Sequence, residues 1–305
     1  MNPRIAVILP CYNEEAAIGL TVAGFRAALP DADIYVFDNN SADRTMQVAA
    51  QAGAIVRREP MQGKGHVVRR MFADIEADIY VMADGDATYD AAAAPAMIQR
   101  LLDEHLDMVV GARASEVDAA YRRGHRLGNR VLTGILARLF GRTFSDILSG
   151  YRVFSRRFVK SFPILSAGFE IETEISVHAL ELRMPVAEVV THYGARPEGS
   201  TSKLSTYRDG WRILSTILTL FRIERPVLYF GSLGAILALV AVILAAPLVV
   251  TYAQTGLVPR QPTAILVTGL AIVACLCFFA GLILDTVVRG RREMRRLAYL
   301  ALPGV

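Results

Sequence analysis

Asp84-Gly85-Asp86 follows Ile79-Tyr80-Val81-Met82-Ala83, an apolar run that reads as a buried strand. Two carboxylates one residue apart at the end of such a strand can hold a divalent cation. The glycine between them lets the backbone come close. A hard cation held between carboxylates and phosphates is a common means of binding a nucleoside diphosphate. The tripeptide by itself is equally a solvated turn, because aspartate is frequent in turns. Its place after a strand favours the site, and Thr88, Tyr89 and Asp90 extend the polar surface.

Three further clusters carry chemistry of the same kind. Pro10-Cys11-Tyr12-Asn13-Glu14-Glu15 closes a first strand and opens a helix. Asn13 can cap that helix and the acidic pair suits its positive end, while Tyr12 can stack on a base. Asp38-Asn39-Asn40-Ser41-Ala42-Asp43 closes a second strand, with Asp38 placed to accept from a base or ribose. An ordinary polar loop explains it equally well. Gln62-Gly63-Lys64-Gly65-His66 precedes a helix, where Lys64 and backbone N–H groups can meet phosphate. It is not a P-loop, since Arg58 and Gly65 stand where that pattern needs Gly and Ser or Thr.

The elements that must position these clusters alternate. Strands are expected at Arg4–Leu9, Asp33–Phe37, Ala54–Val56, Asp78–Ala83 and Asp107–Val110. Helices are expected near Glu15–Ala28, Asp43–Gly53, Lys64–Ile75 and Ala91–Glu104. Such alternation implies an α/β fold with a mostly parallel, doubly wound sheet. Ligands then bind beyond the carboxyl ends of the strands, where the polar clusters fall. Two basic amphipathic stripes come next, at Arg122–Phe140 and Tyr207–Phe221. The first suits a helix on the sheet or in a membrane interface; the second, next to an apolar span, suits the interface.

The chain of 305 residues has a formal net charge of +4 and a mean hydropathy of +0.36. That charge suits anionic lipid or phosphorylated substrates and is too mild to argue for nucleic acid. The apolar excess is concentrated in residues 227–252 and 263–288, each 26 residues without Lys or Arg. About 20 apolar residues span a bilayer, so both are read as membrane helices. Arg222 and Arg225 precede the first; Arg289, Arg291, Arg292, Arg295 and Arg296 follow the second; the connecting loop holds only Arg260. The positive-inside rule then puts both termini and the globular domain in the cytoplasm, at the cytoplasmic membrane. Three cysteines make no disulfide framework, and none has zinc-ligand spacing with His.

The order and spacing of these pieces resemble glycosyltransferase family 2, and within it the polyprenyl-phosphate sugar synthases related to dolichol-phosphate mannose synthase. The resemblance covers nearly all of residues 3–225: the clusters above, Gly111-Ala112-Arg113, Asp146–Arg152, Gly168–Glu174, Glu188, and Arg196 through Lys203. It implies a GT-A fold, Rossmann-like, in residues 1–204. A juxtamembrane amphipathic helix is then expected at 205–225, two transmembrane helices within 226–289, and a basic cytoplasmic tail at 290–305. By position, Pro10, Tyr12, Glu14 and Asp38 would line the nucleoside pocket, with Lys64 near the nucleotide. Asp84 and Asp86 would face the ribose, the diphosphate and a divalent metal, Mg²⁺ or Mn²⁺. Arg113, Arg152, Arg196 and Lys203 would bind the lipid phosphate and the sugar-diphosphate region, with Ser202 a further donor; the guanidinium fork matches phosphate oxygens. Asp86, Asp146 and Arg152 form the expected catalytic set, Asp146 as an orienting or base residue.

Two departures qualify the resemblance. Processive members carry Gln-x-x-Arg-Trp, whereas Trp211, the one tryptophan, follows Gly210. Single transfer is therefore favoured. Tyr151 stands where some anchored relatives carry an aspartate proposed as catalytic. The expected activity is inverting, metal-dependent transfer of a sugar from a nucleotide-sugar donor to undecaprenyl phosphate at the membrane, by a homo-oligomer. A UDP-hexose or UDP-N-acetylhexosamine is favoured. GDP-mannose is the alternative donor, and a non-catalytic sugar-nucleotide or lipid-binding partner the alternative function.

Overall fold

The computed structural model describes residues 3–114, 144–164, 170–197 and 225–304, with single positions or short stretches at 134, 166, 168, 219 and 221–223. The stripes at 122–140 and 207–221, and with them Ser202 and Lys203, lie outside the described residues apart from those single positions.

Among the described residues seven strands form one sheet, in the order β3-β2-β1-β4-β6-β5-β7. They are β1 Ile5–Cys11, β2 Asp33–Asp38, β3 Ile55–Arg58, β4 Ile79–Met82, β5 Met108–Ala114, β6 Arg152–Ser155 and β7 Val186–His192. The pairs β1–β2, β1–β4, β2–β3 and β5–β7 are parallel, and only β6 runs against its neighbours β4 and β5. The mostly parallel sheet is as expected. The central strands are apolar at nearly every position because helices cover both faces. The helices are α1 Ile18–Ala28, α2 Thr45–Gln51, α3 Lys64–Asp74, α4 Ala94–Asp103, α5 Arg156–Ser161 and α6 Ile171–Glu181. One core cluster joins Ile18, Val22 and Phe25 of α1, Met97 and Leu101 of α4, and Val7, Leu9, Ile34, Val36, Ile79 and Val81 of the sheet. Burying each such side chain contributes roughly 1.5–3 kcal/mol before chain entropy is subtracted.

Two units can be distinguished, residues 1–213 with 295–305, and residues 214–294. The second holds α7 Pro226–Thr255 and α8 Gln261–Leu300 as far as Met294, and both helices are long and apolar enough to cross a membrane. Gly256 ends α7 at φ 67°, the left-handed conformation favoured after a helix. The two helices meet at small residues: a Cβ on Gly234 would lie 2.9 Å from the Ala274 carbonyl oxygen, and one on Gly281 would lie 3.3 Å from Val227 Cα. Gly at these positions lets the backbones approach, as in membrane helix pairs.

The residues expected as a separate basic tail are helical as far as Leu300, and from Arg295 onward they belong to the first unit. There Arg295 donates to Glu181 at 2.6 Å, and the Tyr299 hydroxyl donates to Asp107 at 2.6 Å. The Arg157 guanidinium lies 4.3 Å from the Tyr299 ring centre and also donates to Asp107.

Candidate active site

The chain passes from β1 outward to β2 and β3, then returns to place β4 on the other side of β1. The strand order therefore reverses between β1 and β4, and a crevice opens at their carboxyl ends. Pro10–Glu14 come from the end of β1, Asp38 from the last position of β2, and Asp84–Asp86 from the end of β4.

Gly85 is demanded by packing. A Cβ there would sit 2.3 Å from the Cys11 Sγ, so the Asp-Gly-Asp loop lies directly on the end of β1. Gly150 does the same from the far side, since its Cβ would be 2.8 Å from Asp84 Oδ2. The Tyr89 hydroxyl accepts from the Gly150 N–H at 2.9 Å and so fixes that close approach. Asp86 is buried, and its Oδ1 accepts from the Thr88 hydroxyl at 2.6 Å. Burial first, and the charge of Asp84 second, raise the Asp86 pKa; Thr88 and Arg196 oppose the rise.

Both aspartates are held by cations of the chain itself. Arg196 donates to Asp86 Oδ2 at 2.7 Å and lies 3.9 Å from Glu14. Lys64, at the start of α3, bridges Asp84 and Glu172 of α6. Burial alone would depress the Lys64 ammonium, but the charges of Asp84 and Glu172 outweigh it and raise its pKa. The loop before Lys64 is held by Asn39, whose Oδ1 accepts from the Gly63 N–H at 2.7 Å. The Asn39 Nδ2 donates to the carbonyls of Glu59 and Met61.

On the nucleoside side, Asp38 is buried. Its Oδ2 accepts from the Ser41 N–H at 3.0 Å, while its Oδ1 has no hydrogen-bond partner. A buried acceptor without a donor is costly, so this oxygen suits a donor on a bound molecule. Pro10 is buried in β1, Tyr12 is exposed, and Glu14 is buried with its N–H on the Thr45 hydroxyl at 2.8 Å.

Arg152 differs from expectation. It is fully buried in β6, and its guanidinium donates to the carbonyls of Ser149, Ile147 and Glu172. Burial lowers its pKa to about 10. With its guanidinium buried against these carbonyls it braces the backbone, which does not suit the phosphate-binding part expected of it. Asp146 is also engaged: Arg113 grips it through two bonds of 2.7 and 2.8 Å, and the Arg113 guanidinium lies 5.5 Å from the Tyr193 ring centre. Glu188 in turn accepts from the N–H groups of Ser145 and Asp146. Arg113 thus spans both oxygens of Asp146, a pairing that suits an orienting part for this carboxylate. Asn39, Gly150 and Glu172 lie within the segments Asp38–Asp43, Asp146–Arg152 and Gly168–Glu174 that carry the resemblance, but none of the three is among the expected site residues.

Among the described residues no three His, Cys, Asp or Glu side chains cluster as a closed metal site. Two carboxylates suffice for a hard cation that takes its remaining ligands from phosphate and water. Asp84 and Asp86 fit that role.

A model of "Glycosyl transferase family 2" matches residues 6–162. Glycosyltransferase AglJ of Haloferax volcanii is 36% identical over 232 residues, 75% of this chain and 76% of that protein. The dolichyl-phosphate hexose transferase of the same organism is 26% identical over 72% of this chain and 95% of its own length. Among solved structures, glucosyl-3-phosphoglycerate synthase from Mycobacterium tuberculosis was crystallised with Mn²⁺, UDP-glucose and phosphoglyceric acid. It aligns at a TM-score of 0.60 and 25% identity over 72% of this chain and 79% of that one. The chain belongs to glycosyl transferase family 2 and has the GT-A fold.

Proposed function

We propose that the protein transfers one sugar, with inversion, from a UDP-hexose or UDP-N-acetylhexosamine to a polyprenyl phosphate at the membrane surface. The buried, donorless Asp38 Oδ1 carries the nucleotide half of this reading, because a base N–H or ribose hydroxyl would satisfy it. The acceptor half is supported by the two helices long enough to cross a membrane and by the dolichyl-phosphate acceptor named for one relative. A polyprenyl tail stays in the bilayer and its phosphate at the surface, so an anchored enzyme meets it there.

The acceptor phosphate oxygen would attack the anomeric carbon as the nucleoside diphosphate leaves from the opposite face. That oxygen is anionic near neutral pH, so no strong base is needed. The chain contributes positioning and charge. Arg113, fixed by Asp146 and Tyr193, would hold the acceptor phosphate. Lys64 and Arg196 would meet the diphosphate. A divalent cation on Asp84 and Asp86 would neutralise charge on the leaving group.

The test is transfer from labelled UDP- and GDP-sugars to undecaprenyl phosphate by the full-length protein in detergent, with and without Mg²⁺ or Mn²⁺. A labelled lipid formed from a UDP-sugar only with metal is the expected result. Asp86→Ala should lower that rate by about 100-fold or more while leaving the far-UV circular dichroism unchanged. Product from GDP-mannose alone would replace the donor, and no lipid product from any donor would remove the acceptor.

A further inference from the structure

Each carboxylate of the aspartate pair is paired with a cationic side chain: Lys64 on Asp84, Arg196 on Asp86. The two cations are far apart in sequence, one opening α3 and the other following β7. Lys64 is almost buried and has a second carboxylate, Glu172, outside the pair. Arg196 likewise has Glu14 within 3.9 Å. Each cation thus touches one aspartate of the pair and one acid that is not part of it.

We propose that Lys64 and Arg196 are built-in counter-ions for the aspartate pair, so that the metal and the donor's diphosphate can bind tightly only together. The proposal rests on the metal and nucleotide reading of the site given above. A metal arriving alone must strip a cation from each aspartate within a site of low dielectric, and it gains only two protein ligands. A diphosphate arriving alone meets the acids. When both arrive, the phosphate oxygens accept the two displaced cations and complete the metal's shell. Two ligands that each relieve the other's penalty are coupled, and the coupling is reciprocal. Glu172 has its own part as a positioning residue. It retains Lys64 at the site when Asp84 turns to the metal, and it neutralises enough of the ammonium to let Asp84 go.

The arrangement makes opposite predictions for two neighbours. Lys64→Met removes the counter-ion and leaves Asp84, Asp86 and Glu172 as an uncompensated acidic set. It should tighten Mn²⁺ binding without nucleotide by about tenfold and shrink the gain that UDP confers. Glu172→Gln concentrates the lysine's charge on Asp84 and should weaken Mn²⁺ binding without nucleotide several-fold. Lys64→Arg should keep the coupling.

The experiment is a titration of the full-length protein in detergent with Mn²⁺, read by the paramagnetic resonance signal of free Mn²⁺, with UDP absent or saturating. In the wild type, UDP should tighten Mn²⁺ at least tenfold. Arg196→Gln, a partly exposed position, carries the same test if Lys64→Met does not fold, and it too should tighten Mn²⁺ without UDP. Mn²⁺ affinity without UDP that is unchanged in the cation variants overturns the counter-ion role while leaving the site reading intact. No Mn²⁺ binding to the wild type even with saturating UDP overturns the site reading, and this proposal with it.

Discussion

At the scale of residues, the loop that carries the aspartate pair is set by a sulfur. Gly85→Ala would place a methyl 2.3 Å from Cys11 Sγ, so the loop must lift and transfer should fall steeply. Cys11→Ala opens that space, and the double variant should recover much of the lost rate. Additive losses in this double-mutant cycle would show that the contact does not set the loop. Asp146→Asn tests the other carboxylate. If Asp146 orients Arg113, the variant should lose about tenfold in kcat/KM with the shape of the pH–rate profile unchanged, whereas loss of a base would remove its acid limb. The sequence made Asp84, Asp86 and Asp38 legible because each follows an apolar run that could only be a strand. It did not disclose Lys64's partners, which lie 20 and 108 residues away. Arg152 misled for a physical reason: arginine is usually solvated, and the carbonyls that bury this one belong to no motif.

At the scale of elements, the strands and helices of the first half were readable from largely apolar runs of three to six residues between longer amphipathic stretches. The two later strands were not. β6 begins on a charged residue and spans four positions, and β7 carries Glu188 and Thr191 among its valines. Their pairing with β5 is a tertiary fact that local pattern does not encode. α6 holds a titration of its own. His178 is buried beside Phe158 and Phe162 with neither ring nitrogen hydrogen-bonded. Burial first, and the charge of Arg295 second, lower its pKa from 6.5 to about 4. The unfolded chain thus takes up a proton on this ring at a higher pH than the folded one does. The stability it contributes is complete above 6.5 and is lost as the pH falls toward 4, by up to about 3 kcal/mol. His178→Leu should flatten the denaturation midpoint across that window. A wild-type-like slope in the variant would assign the acid sensitivity elsewhere.

At the scale of the whole molecule, the two apolar segments were visible at once, because 26 residues without Lys or Arg have few other uses. Less visible was the fate of the residues beyond the second segment. A run of arginines reads as a tail, and only the folded chain reveals that Arg295 and Tyr299 are partners of Glu181 and Asp107. Ending the chain before Arg295 should lower the thermal midpoint of the first unit by several degrees, as loss of about 1–3 kcal/mol of buried polar contacts would do. A midpoint equal to that of the intact protein would make those contacts dispensable. The same feature bears on anyone who tries to liberate the enzyme from detergent. Cutting at Ile213 yields a polypeptide that is contiguous but not whole, since its closing piece is encoded some 80 residues downstream, in the last turns of α8 and the residues after it. A water-soluble version would have to splice the segment from Arg295 back on through a linker, much as circular permutants are joined.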